Sequence, residues 1–135
     1  SSVAVKWAIP EADTAKALRL RDDYRNAVHE LIAPDVFAIE AAHALTRAER
    51  QKRIQIGESK RFLTDLLKTA PRFHPFHPLL MRACDISSKM RVGVYDCLYV
   101  ALADQEGCEF ITADDKLVKN LRPAYPFIVP LASLP

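Results

Sequence analysis

Tyr95-Asp-Cys-Leu-Tyr-Val-Ala-Leu-Ala-Asp-Gln-Glu-Gly-Cys-Glu-Phe-Ile-Thr-Ala-Asp-Asp-Lys-Leu117 decides the fold class. From Tyr95 to Ala103 the stretch is apolar except for Asp96. Gly107 closes that run, and Phe110-Ile111-Thr112 is short, apolar and followed by Ala113-Asp114-Asp115. The pattern predicts a helix, a turn, a buried strand and the start of another helix. Asp96 then falls in the first turn of a buried helix and Asp114 just past the end of a strand. Carboxylates so placed can meet at one rim of a parallel sheet, the rim that ligands and metals favour in open α/β folds.

Upstream, Leu79 to about Arg91 is predicted helical and is broken at Val92-Gly93-Val94. Arg72-Phe-His-Pro-Phe-His-Pro78 reads as an edge strand or extended link, because its prolines lack N–H donors and resist a helix. A helix over about Glu58 to Thr69 has an apolar face of Phe62, Leu63, Leu66 and Leu67, and Pro71 ends it. Asp35 is a natural N-cap for a helix from about Val36 to Arg53. At about 100° per residue, Ala38, Ala41, Ala42, Leu45 and Ala48 share one side of it, and Glu40, His43, Arg47 and Arg50 form a stripe opposite. Leu31-Ile-Ala33 is a short strand candidate. About Asp13 to Leu31 has the three- and four-residue apolar steps of a helix, through Ala17, Leu18, Leu20, Tyr24, Ala27, Val28 and Leu31. Ser1 to Trp7 is too short to assign, and Phe127-Ile-Val129 makes a final strand. Short apolar strands alternating with helices predict an α/β layered fold with a parallel sheet, in one domain spanning residues 1–135.

Half of the 135 residues are apolar, enough for a real core. No apolar run approaches the roughly 20 residues that span a bilayer, and no signal-peptide pattern opens the chain, so a cytoplasmic protein without membrane partners is expected. Three cysteines, Cys84, Cys97 and Cys108, are odd in number, sit in apolar contexts and lack C-x-x-C spacing. Reduced core residues are expected, with neither a disulfide framework nor a zinc site. A net charge of +2 gives no general attraction to nucleic acid, which leaves a local patch as the route to any such binding.

Each acid has an ordinary explanation. A charge in a helix's first turn meets the dipole, which accounts for Asp96, and an Asp after a strand caps the next helix, which accounts for Asp114 or Asp115. Glu40 alone reads as a solvated charge. Together, three carboxylates on separate segments can surround a hard divalent cation such as magnesium or manganese, which take oxygen ligands. Such a site suits phosphodiester hydrolysis. Arg47, Arg50, Lys52 and Arg53 form the densest basic cluster, either a solvated helix end or a phosphate-backbone contact. Glu40-Ala-Ala-His43 has the Glu-x-x-His spacing of di-iron bundles but no second copy.

In order along the chain, Ser2-Val-Ala-Val-Lys-Trp7 with Pro10-Glu11, Ala33-Pro-Asp-Val-Phe-Ala-Ile-Glu40 with Ala44-Leu45, Tyr95 to Ala103, and Thr112-Ala-Asp-Asp-Lys-Leu117 resemble the PIN-domain family. Within it, the resemblance is to VapC-type toxins of bacterial toxin–antitoxin pairs. It implies a short parallel sheet flanked by helices and a magnesium- or manganese-dependent ribonuclease. It further implies RNA as substrate, a cognate antitoxin covering the acidic groove, and a homodimer. By resemblance, Glu40, Asp96 and Asp114 are the catalytic and metal-binding acids. Ser2, Thr112, Asp115 and His43 are supporting residues, His43 standing where many relatives carry Asn, while Arg47, Arg50 and Arg53 are candidates for RNA contact. A PIN-type nuclease of RNA maturation without an antitoxin, or a catalytically silent PIN-like binding module, stays open.

In relatives a short apolar strand ending in Asp comes immediately before the segment that begins here at Ser2, whose hydroxyl stands two residues beyond that Asp. The strand and its acid are expected upstream of Ser1 in the natural product. Intact-mass measurement of the native protein tests this, and a mass equal to that of the 135 residues would contradict it.

Overall fold

The computed structural model describes residues 1–135. In chain order the elements are α1 (Ser2–Ala8), α2 (Thr14–Arg25), β1 (Ile32–Pro34), α3 (Phe37–Arg50), α4 (Glu58–Leu67), β2 (Arg72–His74), α5 (Leu80–Met90), α6 (Val94–Glu106), β3 (Phe110–Thr112), α7 (Asp115–Leu121) and β4 (Ile128–Pro130). The backbone divides into two compact units, Ser1–Leu31 with Phe37–Arg72 and Ile32–Val36 with Phe73–Pro135.

In the first unit, α1 packs on α2, α3 and α4, and α3 packs on α4. Phe37, Ala41, Leu45 and Ala48 recur at four- and three-residue steps and are the buried positions of α3. The small alanines among them let neighbouring helices approach, and Leu45 and Ala48 join Ile9 in a cluster covered by Val5, Ile54, Phe62 and Leu63. Polar links fix the helix ends. Gly57, the N-cap residue of α4, has no side chain to offer that helix. Glu49 of α3 supplies the missing acceptors, taking the N–H of Gly57 at 2.9 Å and of Ser59 at 3.3 Å. Hydrogen bonds from Ser59 and Gly57 hold the Glu49 carboxyl below its usual value. Glu11 bridges two cations, Lys6 at 3.1 Å and Arg53 at 2.5 Å.

The second unit is organised by α6, which buries Cys97, Leu98, Val100, Ala101, Leu102 and Ala103. A helix apolar on nearly every side has to be covered by neighbours. Here α5, β1 and β3 pack against it. Gly107, in the left-handed region at φ +65, ends it at little cost, since no Cβ is present. Cys108 then donates its N–H to the carbonyl of Ala103 at 3.0 Å. Strand β3 pairs in parallel with β4, Phe110 opposite Ile128 and Thr112 opposite Pro130, with α7 between them in sequence. Strands β1 and β2 form a separate pair. They run in the same direction, Arg72 donating to Leu31 and Asp35 to His74. The α/β class with short parallel strands flanked by helices is as expected from sequence, although the strands form two pairs.

Three local expectations change, and the opening stretch left unassigned takes a definite form. Ser2–Ala8 is helical. Helix α2 stops at Arg25, because Ala27 adopts φ +58, and Val28, placed by sequence on its apolar face, is 67% exposed. Phe37 shifts the buried stripe of α3, so Glu40 lies at the edge of the packed face, half-buried, instead of opposite it. Cys97 is buried as expected, whereas Cys84 and Cys108 are exposed; all three are free thiols.

Burial alone would raise the Glu11 carboxyl, but hydrogen bonds and charge from Arg53 and Lys6 outweigh it and hold it below its usual value. A carboxyl lowered in the folded state stabilises above its ordinary pKa, and that contribution is lost as pH falls through the lowered one. Glu11→Gln is expected to cost about 0.2–1 kcal/mol at neutral pH, the range for part-exposed pairs. The deficit should vanish at pH values below both pKa values, as read from melting curves of the two proteins across pH.

Candidate metal centre

The second unit holds Asp96, Thr112, Asp114 and Asp115. Asp114 is the N-cap of α7 with extended backbone, and its Oδ1 accepts the N–H of Leu117 at 3.1 Å. Its own N–H donates to Oγ1 of Thr112 at 3.1 Å, and Thr112, the last residue of β3, is 3% exposed. A buried hydroxyl and a helix end therefore fix the exposed Asp114 from two directions. Only Oδ1 is engaged by the cap, which leaves Oδ2 for a ligand. Asp115, the first residue of α7, is exposed beside it.

Asp96 sits half-buried in the first turn of α6. The chain turns back at Gly107, and one turn beyond Asp96 the ring of Tyr99 stacks on Phe110 at 5.6 Å, at the start of β3. Helix α6 and strand β3 thus run in opposite senses, so the head of α6 and the tail of β3 fall at the same end of the unit. That end carries Asp96 and Asp114.

Cysteine takes no part there. The Sγ of Cys97 turns inward toward the carbonyl of Val92 at 3.8 Å. Burial, with the neighbouring Asp96 charge, pushes its pKa up to about 11. Burial and the Glu106 charge likewise raise Cys108. The chemistry offered is oxygen only.

The remaining sequence candidates lie in the first unit. Glu40 is half-buried in the first turn of α3, Ser2 is exposed at the start of α1, and His43, Arg47 and Arg50 are exposed on α3. Arg53 is already engaged by Glu11. No group of three or more His, Cys, Asp or Glu side chains is assembled to hold a metal ion. Three exposed cations not singled out from sequence follow Asp115, namely Lys116, Lys119 and Arg122. Their three-residue spacing along a helix is the signal that carries them.

The PIN domain profile matches residues 1–121. The chain belongs to the PIN-domain family. It is 32% identical over 122 residues to Ribonuclease VapC3 of Pyrobaculum aerophilum, covering 89% of each chain. It is 29% identical over 112 residues to Ribonuclease VapC9 of Mycobacterium tuberculosis, covering 81% of this chain and 87% of that one. The PIN family is a nuclease family whose members are typically metal-dependent. The carboxylates at the α6–β3 end suit the hard, oxygen-seeking cations of such chemistry. No helix is long and apolar enough to cross a membrane.

The capping role of Asp114 can be separated from any role as a ligand. Asn caps a helix about as well as Asp, whereas Ala costs about 1 kcal/mol. Asp114→Asn is therefore expected to match the stability of the native protein within a few tenths of a kcal/mol, and Asp114→Ala to fall about 1 kcal/mol below it. A rise in melting temperature on adding manganese is expected for the native chain and not for Asp114→Asn. An equal rise in both would remove Asp114 from the ligand set.

Proposed function

We propose that this PIN-domain chain is a magnesium- or manganese-dependent endoribonuclease and the toxin of a toxin–antitoxin pair. The observation that carries the proposal is the Thr112–Asp114–Leu117 arrangement at the same end of the unit as Asp96, in a chain whose relatives are named ribonucleases. Glu40, Asp96 and Asp114 would hold the cation. When bound, it lowers the pKa of a water and offsets charge on the scissile phosphate.

The chain's own residues supply position and charge. Asp96 stands at the N-terminal end of α6, where the helix dipole suits a negative charge, and is assigned as a ligand. Thr112 fixes the backbone of Asp114, so that Oδ2 is presented in one place and little ordering is needed when ligands arrive. Asp115 adds a second negative charge at the same corner. Ser2 and His43 are assigned as hydrogen-bonding groups around the acids, and Arg47 and Arg50 as contacts for the RNA backbone. In the hydrolysis, water oxygen bonds to phosphorus as a phosphorus–oxygen bond of the RNA breaks. One product keeps the phosphate and the other gains a hydroxyl, its proton coming from the water. The partners assigned with this activity are RNA, an antitoxin segment that covers the acids, and a second copy of the chain in a homodimer, in the cytoplasm.

The test compares RNA cleavage by the native chain and Asp96→Asn, with magnesium or manganese and with EDTA. Metal-dependent cleavage that falls by at least about 100-fold in the variant is expected, with its melting curve showing a folded protein. Equal cleavage by both would take Asp96 out of the mechanism, and no cleavage by the native chain would favour a silent binding module. Co-purification of a small partner protein separates the toxin from an RNA-maturation nuclease.

A further inference from the structure

Helix α7 begins at the acidic corner and leads away from it. Its inner side is set by Leu117 and Leu121, both buried. At about 100° per residue, Lys116, Lys119 and Arg122 fan over the other side, and all three are exposed. Arg122 keeps helical geometry as the C-cap residue, at φ −56 and ψ −37. Six residues at about 1.5 Å each place Lys116 and Arg122 about 9 Å apart along the axis. None of the three side chains makes an ion pair or hydrogen bond within the chain. Asp115 stands one turn before Lys119, close enough to moderate its charge without forming a bond to it.

Beside these cations lies a shallow concavity of about 530 Å³ lined by Val118, Lys119, Arg122, Pro123 and Pro126. Val118 and the two prolines make its apolar, stiff part, and Lys119 and Arg122 carry the charges. Arg122, Pro123 and Pro126 lie past residue 121, where the match to the family profile ends.

We propose that the outer face of α7 is a second nucleic-acid contact, which holds the single-stranded RNA flanking the scissile bond. It rests on the proposed ribonuclease reading and adds a track outside the acids. Lys116, Lys119 and Arg122 meet successive backbone phosphates. The shelf of Val118, Pro123 and Pro126 accepts the apolar face of a ribose or an unstacked base, as single-strand binders combine charge with apolar platforms. The charge pattern fits that path. Carboxylates gather at the start of α7, where a cation would neutralise them, and free positive charge follows where the strand leaves. Folded internal pairs such as Arg53–Glu11 and Arg82–Asp104 offer no such attraction.

The test measures binding with the full chain carrying Asp96→Asn, in magnesium, by anisotropy of labelled single-stranded RNAs of sixteen and of four nucleotides. Binding is read without cleavage, so failure of the ribonuclease reading and failure of this one are separable. Substituting Lys116, Lys119 and Arg122 together by Ala is expected to weaken the sixteen-nucleotide RNA about tenfold at low salt. It should also lower the slope of log affinity against log salt by about 2, at about 0.7 for each phosphate no longer neutralised. Binding of the four-nucleotide RNA should hold. The reversal Lys119→Glu with Arg122→Glu should weaken the long RNA further, and melting curves confirm that each variant is folded. Unchanged affinity and salt slope would overturn the proposal, as would equal losses on both RNAs. Competition by polyglutamate as effective as by RNA would also overturn it and make the surface a site for an acidic protein.

Discussion

The burial of α6 is the constraint on which the second unit depends. Leu98, Val100, Ala101 and Leu102 are at most 2% exposed, so the helix must be enclosed rather than merely leaned upon. Each fully buried Leu or Val contributes about 1.5–3 kcal/mol. Against that gain, a charge anywhere in the middle of the helix would be prohibitively desolvated. The charged positions are accordingly at its ends. Asp96 is at the head, where the dipole favours it, and Asp104 is near the tail, paired with Arg82 of α5. The location of Asp96 is thus a by-product of how completely the rest of the helix is buried.

Position governs Asp114 in the same way. An N-cap needs an oxygen that reaches back to the third backbone N–H, and a metal ligand needs an oxygen that faces out. A carboxylate has both. Engagement of Oδ1 by the N–H of Leu117 orients the group and leaves Oδ2 outside the cap. Thr112 strengthens this by taking the Asp114 N–H, so the strand end, the hydroxyl and the cap form one connected piece.

Much of this is legible in the sequence because apolar runs and glycine breaks are local signals. Phe110–Thr112 is a strand as expected, and Gly107 ends α6. The role of Asp114 as a cap follows from its position after a strand. What is not legible depends on partners distant in sequence. Nothing local shows that Ala27 takes a left-handed conformation and ends α2, that Glu49 caps the helix beginning after Gly57, or that Arg53 is bound by Glu11 across 42 positions. Cys84 and Cys108 are exposed although core positions are expected for them, because Arg82 and Asp85 beside the one and Glu106 and Glu109 beside the other keep those stretches at the surface. Glu40 is misplaced on its helix by periodicity for a related reason. Phe37, larger than the alanines on which the face is drawn, moves the buried stripe toward it.

Arg53 also shows why a cluster of charges in sequence is a poor guide to a binding surface. Arg47, Arg50, Lys52 and Arg53 look equivalent along the chain, but Arg53 holds Glu11 and thereby fixes the segment after α1 to the end of α3. Removing it would disturb the fold as well as any ligand. Lys116, Lys119 and Arg122 are sparser in sequence and carry no internal partner. Apart from Asp115 one turn before Lys119, their charge is screened by water and salt, a state from which a polyanion gains by releasing its counterions. Availability, not density, is the property that separates a recognition surface from a structural one.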